Sequence, residues 1–463
     1  MNIPQCKIVL VNAPFVRHGD SGVFLGLDRL VQYDLLKESF CSSNGPEIAH
    51  SLLPYSTGIR YGVRAGSRWP HTAERVNYNY VPFPFIMAYT SAFLRKNGIE
   101  TEIIDCVAIR QYSYDTLLND LKKRKPDIVI VEGSYSSIDI DLWLCNMISA
   151  FSEVALAGPC VNDFTAKELC AEHPAIRYFL KGEYINSALE MVLTRRAGIY
   201  ELDVVKDLDS IPTPDRTFFG AQLARDYWIP NMPVPQLQMW GSKGCAFRCS
   251  FCLWPSTMYG NNVSLRDPKY IAKEIATDVK CCGYQHVYFD DDTFNIGNER
   301  IEKLCLYMKE LGLPWGIMAR IDTSPLELFE KMISCGCVGM KFGIESFNLD
   351  VLKRINKGFS SRKTFDTLRR LTRQYPRVKF HLTTMRNLPG QTDAIFEQDQ
   401  KILKNLGFME NNPYRTFQLS SCVPFPGTPL YAETAKRHGK EKMEDCLRYD
   451  GTQDTIMQDL HMA

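Results

Sequence analysis

Long apolar runs are missing from this chain. No stretch of about 18 consecutive apolar residues occurs, which argues against a transmembrane segment and leaves only peripheral contact with a bilayer open. An excess of either charge is missing as well: 54 Lys and Arg stand against 53 Asp and Glu, for a formal net charge of +1. A chain built to coat nucleic acid needs a basic face, so no nucleic-acid partner is expected. No secretory leader is read at the N-terminus, and the 16 cysteines are scattered rather than set in a disulfide framework. They fit a reduced, cytoplasmic setting. What remains is a chain of 463 residues, 45% hydrophobic, long enough for two or three cores.

The first half alternates strand and helix signals. Lys7 to Asn12 (KIVLVN) is short, continuous and apolar, as a strand buried on both faces should be. An irregular insertion follows over residues 16–80. Within it the stretch from Tyr61 to Pro70 combines Arg64 and Arg68 with aromatic groups, Trp69 among them, and the two arginines suit a carboxylate or phosphate of a substrate; the same trio also reads as surface arginines packed on a Trp. From Pro82-Phe-Pro-Phe85 onward, helices near 85–97, 115–123 and after Thr165 separate strands at 100–105, 127–132, 153–157 and 176–180. This alternation predicts an N-terminal Rossmann-like, doubly wound parallel sheet over residues 1–197. Ligands of such sheets sit beyond the carboxyl ends of the strands, where Asn12, Tyr135, Ser136, Gly158 and Gly182 would gather. No G-x-G-x-x-G follows the first strand, which argues against a nicotinamide dinucleotide. Residues 198–232, rich in Pro and Asp, are expected to form a linker.

The second domain, 233–430, opens on a strand-like run from Val234 to Trp240. Directly after it, Gly244-Cys-Ala-Phe-Arg-Cys-Ser-Phe-Cys252 places Cys245, Cys249 and Cys252 at C-x3-C-x2-C spacing. Three thiolates so close can hold three irons of a cubane [4Fe–4S] cluster and leave the fourth iron open to a small molecule. Structural zinc wants four ligands in paired form, and no second pair or nearby His is present; a disulfide with a spare thiol is the other alternative. Five further helix and strand pairs follow, which predicts a partial (β/α)6 barrel with its chemistry at the carboxyl-terminal mouth. There the sequence sets Phe289-Asp-Asp-Asp-Thr-Phe294, Arg320, Gly343-Ile-Glu-Ser346, Asn387-Leu-Pro-Gly-Gln391 and Val423-Pro-Phe-Pro-Gly-Thr-Pro429. Asp291 or Glu345 can accept from an ammonium or from ribose hydroxyls, and Arg320 can hold a carboxylate. Taken singly, each also reads as half of a solvated ion pair. Residues 431–463 remain as a C-terminal extension.

Together with Leu388-Pro-Gly-Gln-Thr392 and Pro426-Gly-Thr-Pro429, these motifs resemble the radical S-adenosylmethionine (SAM) superfamily. With Pro82-Phe-Pro-Phe85 and Lys181-Gly-Glu183 ahead of them, the whole chain resembles its class with a cobalamin-binding domain. The resemblance implies cluster ligation by the three cysteines and SAM binding by Phe251, Asp290, Asp291, Arg320, Glu345 and Pro424. It also implies cobalamin contacts from Asn12, Phe83, Tyr135, Ser136, Gly158, Gly182 and Glu183. No D-x-H-x-x-G occurs to supply a His beneath cobalt, and Gln391 and Asn387 stand where relatives often have Glu and Gly. The expected activity is cobalamin-dependent radical methylation of an unactivated carbon in a small-molecule or natural-product substrate, with a flavodoxin or ferredoxin as electron donor. Cyclisation, carbon–carbon coupling or sulfur insertion on the same architecture is the alternative, and a non-catalytic sensor a second.

Overall fold

In a computed structural model of the chain, residues 5–13, 15–18, 59–62, 81–109, 114–201, 203–229, 232–358 and 362–439 are described. The first apolar run forms β1 (Lys7–Asn12), buried from Ile8 to Asn12. Its alternate residues feed two cores: Ile8 and Leu10 pack in one with Ile86 and Met87, while Val9 and Val11 pack in the other with Leu117 and Leu144. A strand covered on both faces has to be apolar throughout, which is why no alternation is visible in its sequence. Two short strands, β2 (Phe15–His18) and β3 (Ile59–Gly62), pair antiparallel within the insertion. Arg64, Arg68 and Trp69 lie outside the described residues.

The sheet continues through α1 (Phe85–Lys96), β4 (Glu100–Asp105), α2 (Tyr114–Arg124), β5 (Ile128–Glu132), α3 (Ile138–Ser149), β6 (Glu153–Ala157), α4 (Ala166–Glu172), β7 (Tyr178–Leu180), α5 (Ile185–Thr194) and β8 (Gly198–Tyr200). Its order is β4-β1-β5-β6-β7-β8, all parallel. The chain steps outward in opposite directions from β1, so a crevice opens between the carboxyl ends of β1 and β5. One boundary needs correction. Residues 198–200, placed in the linker by their composition, pair with β7 and close the sheet as its sixth strand.

Beyond the linker's short helix α6 (Ala221–Asp226) come β9 (Gln236–Met239), the hairpin strands β10 (Ser242–Gly244) and β11 (Val263–Leu265) with α7 (Leu253–Thr257) between them, α8 (Pro268–Cys282) and β12 (His286–Phe289). The pattern runs on through α9 (Asn298–Leu311), β13 (Trp315–Ala319), α10 (Leu326–Ser334), β14 (Cys337–Glu345), α11 (Leu349–Arg354), α12 (Arg362–Gln374), β15 (Lys379–Arg386), α13 (Asp393–Asn405), β16 (Arg415–Ser421) and α14 (Pro429–His438). Six strands lie in chain order, β9-β12-β13-β14-β15-β16, all parallel, as an open partial barrel. Helix α8 shows why its boundaries were legible: Asp267 accepts from Lys269 N–H, Pro268 takes the first turn, and Gly283 ends it in the left-handed region. Among the described residues no helix is long and apolar enough to cross a membrane.

The two units share a buried seam. Phe85 and Tyr89 of α1 stack on Trp240, at 4.6 and 5.2 Å between ring centroids. Phe83 N–H donates to Gln238 Oε1 at 2.9 Å. Lys243 of β10 reaches back to Glu183, and both side chains are almost wholly buried.

Candidate active site

The cysteine loop hangs from the β10–β11 hairpin, which sequence periodicity did not reveal because each strand has only three residues. Gly244 enters the loop at φ +82°, and a Cβ there would meet Asn262 O at 2.0 Å, so only glycine fits. Backbone contacts fix the rest: Ser250 N–H donates to Ile355 O (2.8 Å), Cys252 N–H to Cys249 O (3.1 Å), and Asn356 Nδ2 to Arg248 O (2.7 Å). Cys245 and Cys249 are buried and Cys252 is half-buried, and all three line one cavity at the carboxyl ends of the barrel strands. The space at the cavity, open solvent at its mouth included, is about 1290 Å³.

Burial pushes the Cys245 and Cys252 thiols above their ordinary range, and for Cys252 the neighbouring Cys249 and Cys245 add to it. Three thiolates held together in this loop therefore call for a cationic partner. Among the described residues no three metal-ligating side chains converge as a single ion requires, the cysteines included. A cubane takes each thiolate at a separate iron, whereas a tetrahedral zinc draws its ligands onto one ion.

Cations surround the loop. Arg320, just past β13, stacks its guanidinium 3.7 Å from the Phe247 ring centroid and places Nη1 3.8 Å from Cys249 Sγ. Asp322 grips the same guanidinium through both oxygens at 3.0 and 2.8 Å, and Lys357 O accepts from Nη2 at 2.5 Å. Glu345 ends β14 at φ +66°, left-handed backbone that a non-glycine residue occupies at a cost, next to a register shift against β15. Its Oε1 accepts from Lys357 Nζ at 2.9 Å in a buried pair. Burial alone would lower Lys357, but Glu345 and the Cys249 thiol hold it above its ordinary value.

Several expected roles move by a residue or two. Asp291 does not reach the cavity: it is fully buried and accepts from Gly241 N–H (2.9 Å) and Ser242 Oγ (2.6 Å), bracing the strand that leads into the cysteine loop. Asp290 is likewise buried and off the cavity wall. The carboxylate of this triplet that lines the cavity is Asp292, which accepts from Gly244 N–H at 3.0 Å, with Thr293 Oγ1 3.3 Å from Cys245 Sγ. Three consecutive aspartates gave no sign of which would turn inward past the end of β12. Phe251 lines the cavity; at Pro424 it is the flanking Val423 and Phe425 that do. Lys357 escaped notice because a lone Lys in Asn-Lys-Gly looks like any surface turn. Asn387 adopts φ +59°, which Asn tolerates, and Gln391 ties its loop together through Met385 O and Asp399 Oδ2, both at 3.2 Å.

In the first domain the expected residues divide. Tyr135 faces the barrel, stacked 5.9 Å from Phe425 and hydrogen-bonded to Asn162. Gly158 lets two strand-end turns nest, since a Cβ would lie 2.3 Å from Gly133 O. Ser136 lies in the turn after β5. The other four are engaged elsewhere. Asn12 donates to Asp105 (2.8 Å), which also accepts from Tyr227 OH (2.9 Å). Phe83 sits in an aromatic cluster with Phe85, Phe219 and Tyr227 under Arg216. Gly182 packs toward Thr257 O, and Glu183 is spent on Lys243 and on Val205 N–H. For Phe83, Gly182 and Glu183 the seam between the domains competes with any ligand, and it holds them, while Asn12 is held within the first sheet by Asp105.

Residues 241–403 match the radical SAM superfamily model, so that stretch is a radical SAM domain and the protein is an enzyme. A [4Fe–4S] cluster and SAM are the cofactors of the class. An uncharacterised methyltransferase of Pyrococcus horikoshii is 25% identical, over 75% of this chain and 77% of its own length. The fold is similar to that of the radical SAM methyltransferase TsrM from Kitasatospora setae, solved with tryptophan substrate and a SAM analogue (TM-score 0.61, 16% identity, 78% of this chain and 75% of that one). It is also similar to that of the cobalamin-dependent SAM radical enzyme OxsB, solved with aqua-cobalamin and SAM (TM-score 0.64, 14% identity, 97% of this chain and 64% of that one). At these identities the two structures speak for the fold.

Proposed function

We propose that this protein is a cobalamin-dependent radical SAM methyltransferase acting on an unactivated carbon of a small-molecule substrate. The observation that carries the reading is the single cavity in which three cysteines of one loop meet Asp292, Arg320, Glu345 and Lys357, at the mouth that faces the first domain through Tyr135 and Phe425. When bound, the cluster would supply the electron that cleaves SAM to a 5′-deoxyadenosyl radical, and cobalamin in the β1/β5 crevice would supply the methyl group.

The chain's own part is binding, orientation and exclusion of water. Cys245, Cys249 and Cys252 would hold the cluster. Arg320, fixed by Asp322 and by the face of Phe247, keeps a cation beside the Cys249 sulfur and offsets the charge gathered there. The buried Glu345–Lys357 pair and Asp292 supply the polar groups against which a zwitterionic ligand can align. Phe251, Leu253, Trp254 and Phe425 form the apolar wall that keeps solvent out.

The test is anaerobic incubation of the reconstituted protein with SAM, cobalamin and candidate substrates. Equal amounts of 5′-deoxyadenosine and S-adenosylhomocysteine are expected. Deoxyadenosine alone, or full turnover by protein that takes up no cobalamin, would sink methyl transfer. Replacing the three cysteines by Ala should abolish both products together with bound iron, and retained activity would refute the cluster assignment.

A further inference from the structure

The three sulfurs of the loop are not equivalent, and the difference lies in what stands beside each as a hydrogen-bond donor. Thr293 Oγ1 is 3.3 Å from Cys245 Sγ, and Arg320 Nη1 is 3.8 Å from Cys249 Sγ. Among the described residues no hydrogen bond reaches Cys252 Sγ. Arg320 is a charged group tied at the same time to Asp322 and to Lys357 O. Thr293 is a neutral hydroxyl, and no role described above uses it.

Its position is fixed by the residues on either side. Asp292 before it accepts from Gly244 N–H at 3.0 Å, while Phe294 after it donates its N–H to Met318 O at 3.0 Å and sets its ring 4.7 Å from that of Phe289. Thr293 itself is buried, lines the cavity beside Cys245 and, being β-branched, has few rotamers open to it. A hydroxyl held in this way keeps its distance to the sulfur.

The hydroxyl carries one hydrogen and has two acceptors in reach. One is the carbonyl of its own neighbour Asp292, at 2.8 Å, and the other is Cys245 Sγ. While the sulfur is a thiol it can donate to Thr293 Oγ1, and the hydroxyl hydrogen then goes to the carbonyl. A sulfur bound to iron has no proton to give, so only the hydroxyl can supply the hydrogen between the two atoms. Reduction adds an electron to the cluster and spreads negative charge onto its sulfurs, so a donor there stabilises the reduced form more than the oxidised one.

We infer that Thr293 tunes the reduction potential of the cluster: it donates its hydroxyl hydrogen to Cys245 Sγ and makes the cluster easier to reduce. This deepens the proposed function and rests on it for the ligation of the cluster by the three cysteines.

Redox titration of the reconstituted full chain, without SAM, tests the donor. Dithionite with viologen mediators passes one electron to the oxidised cluster, no bond is made or broken, and electron paramagnetic resonance counts the reduced form. Thr293→Val and Thr293→Ala should lower the ratio of reduced to oxidised cluster at a fixed potential about tenfold, which is about 59 mV for one electron. Thr293→Ser should match the native chain, and all three variants should hold the native iron content. In heavy water, hyperfine spectroscopy of the reduced native cluster should show a coupled exchangeable deuteron that Thr293→Ala lacks. Native ratios in the Val and Ala variants, a loss in the Ser variant equal to theirs, or an unchanged deuteron signal in the Ala variant would overturn the inference. Each of these is read on a cluster that has formed and leaves its ligation standing, whereas a native chain that forms no cubane would overturn the ligation and the inference together.

Discussion

At the scale of single residues, the three consecutive aspartates after β12 separate support from chemistry. Asp291 holds Gly241 N–H and Ser242 Oγ from a fully buried position, whereas Asp292 lines the cavity and holds Gly244 N–H. Asp291→Asn keeps the shape but weakens two charge-assisted hydrogen bonds, so it should lower stability by about 1–3 kcal/mol and leave SAM affinity within a few-fold of native. Asp292→Asn should do the reverse, with SAM affinity falling tenfold or more and the denaturation midpoint nearly unmoved. Urea denaturation and equilibrium dialysis with SAM distinguish the two. Equal loss of affinity in both variants would contradict the division of roles. Sequence reading found the triplet and its place at the mouth, but the choice among its members depends on how the chain bends after Phe289, and that is set by packing against β9 and β13.

At the scale of elements, the β10–β11 hairpin governs the cysteine loop. Gly244→Ala would force a Cβ into Asn262 O and move the loop's first residue out of the left-handed region. The expected result is protein that folds, with unchanged far-ultraviolet circular dichroism, but binds less than half the iron of the native chain on reconstitution. Iron and sulfide assays check this; full cluster content would show that the loop tolerates a shifted entry. Long elements were legible throughout, since strands with continuous apolar runs and helices with capping residues announce themselves locally, as in β1 and α8. What escaped were short pieces whose partners are distant in sequence: β8, which needs β7 to be a strand, and β10 with β11, which need each other. The three cysteines of the loop were legible as a group because their spacing is local, and all three line the cavity. Lys357 was not, because a buried lysine differs from a surface one only through its surroundings. The residues expected to meet a ligand in the first domain were the least legible, since the seam with the barrel recruits three of them and Asp105 a fourth.

At the scale of the whole molecule, buried titratable groups in both domains oppose one another. Burial holds His286 and His381 near a pKa of 3, below the ordinary 6.5, with nearby lysines adding to the effect. The unfolded chain therefore takes up protons first, so their contribution is complete above pH 6.5 and is lost as pH falls toward 3. Burial lifts Asp105 and Asp278 from 3.8 to about 6. For these the folded state binds the proton more tightly, so their contribution is complete below pH 3.8 and is lost as pH rises through 6. Between about pH 4 and 6 the two pairs offset each other, and their summed effect on stability should be nearly flat. Asp105→Asn removes one member and should tilt that window, with stability falling by roughly 1.4 kcal/mol per unit of acidification. Urea midpoints measured across the window show the tilt or its absence.

The buried pair of Glu183 and Lys243 also fixes an order of events in time. The two residues are 60 positions apart, so the acid leaves the ribosome roughly 3–12 s before the base. During that interval the first sheet can fold with a solvated carboxylate at its rim, and the arriving lysine seats the strand that carries the cysteines. The cysteine loop, which follows that lysine directly in the chain, would then be laid onto a surface that has already formed.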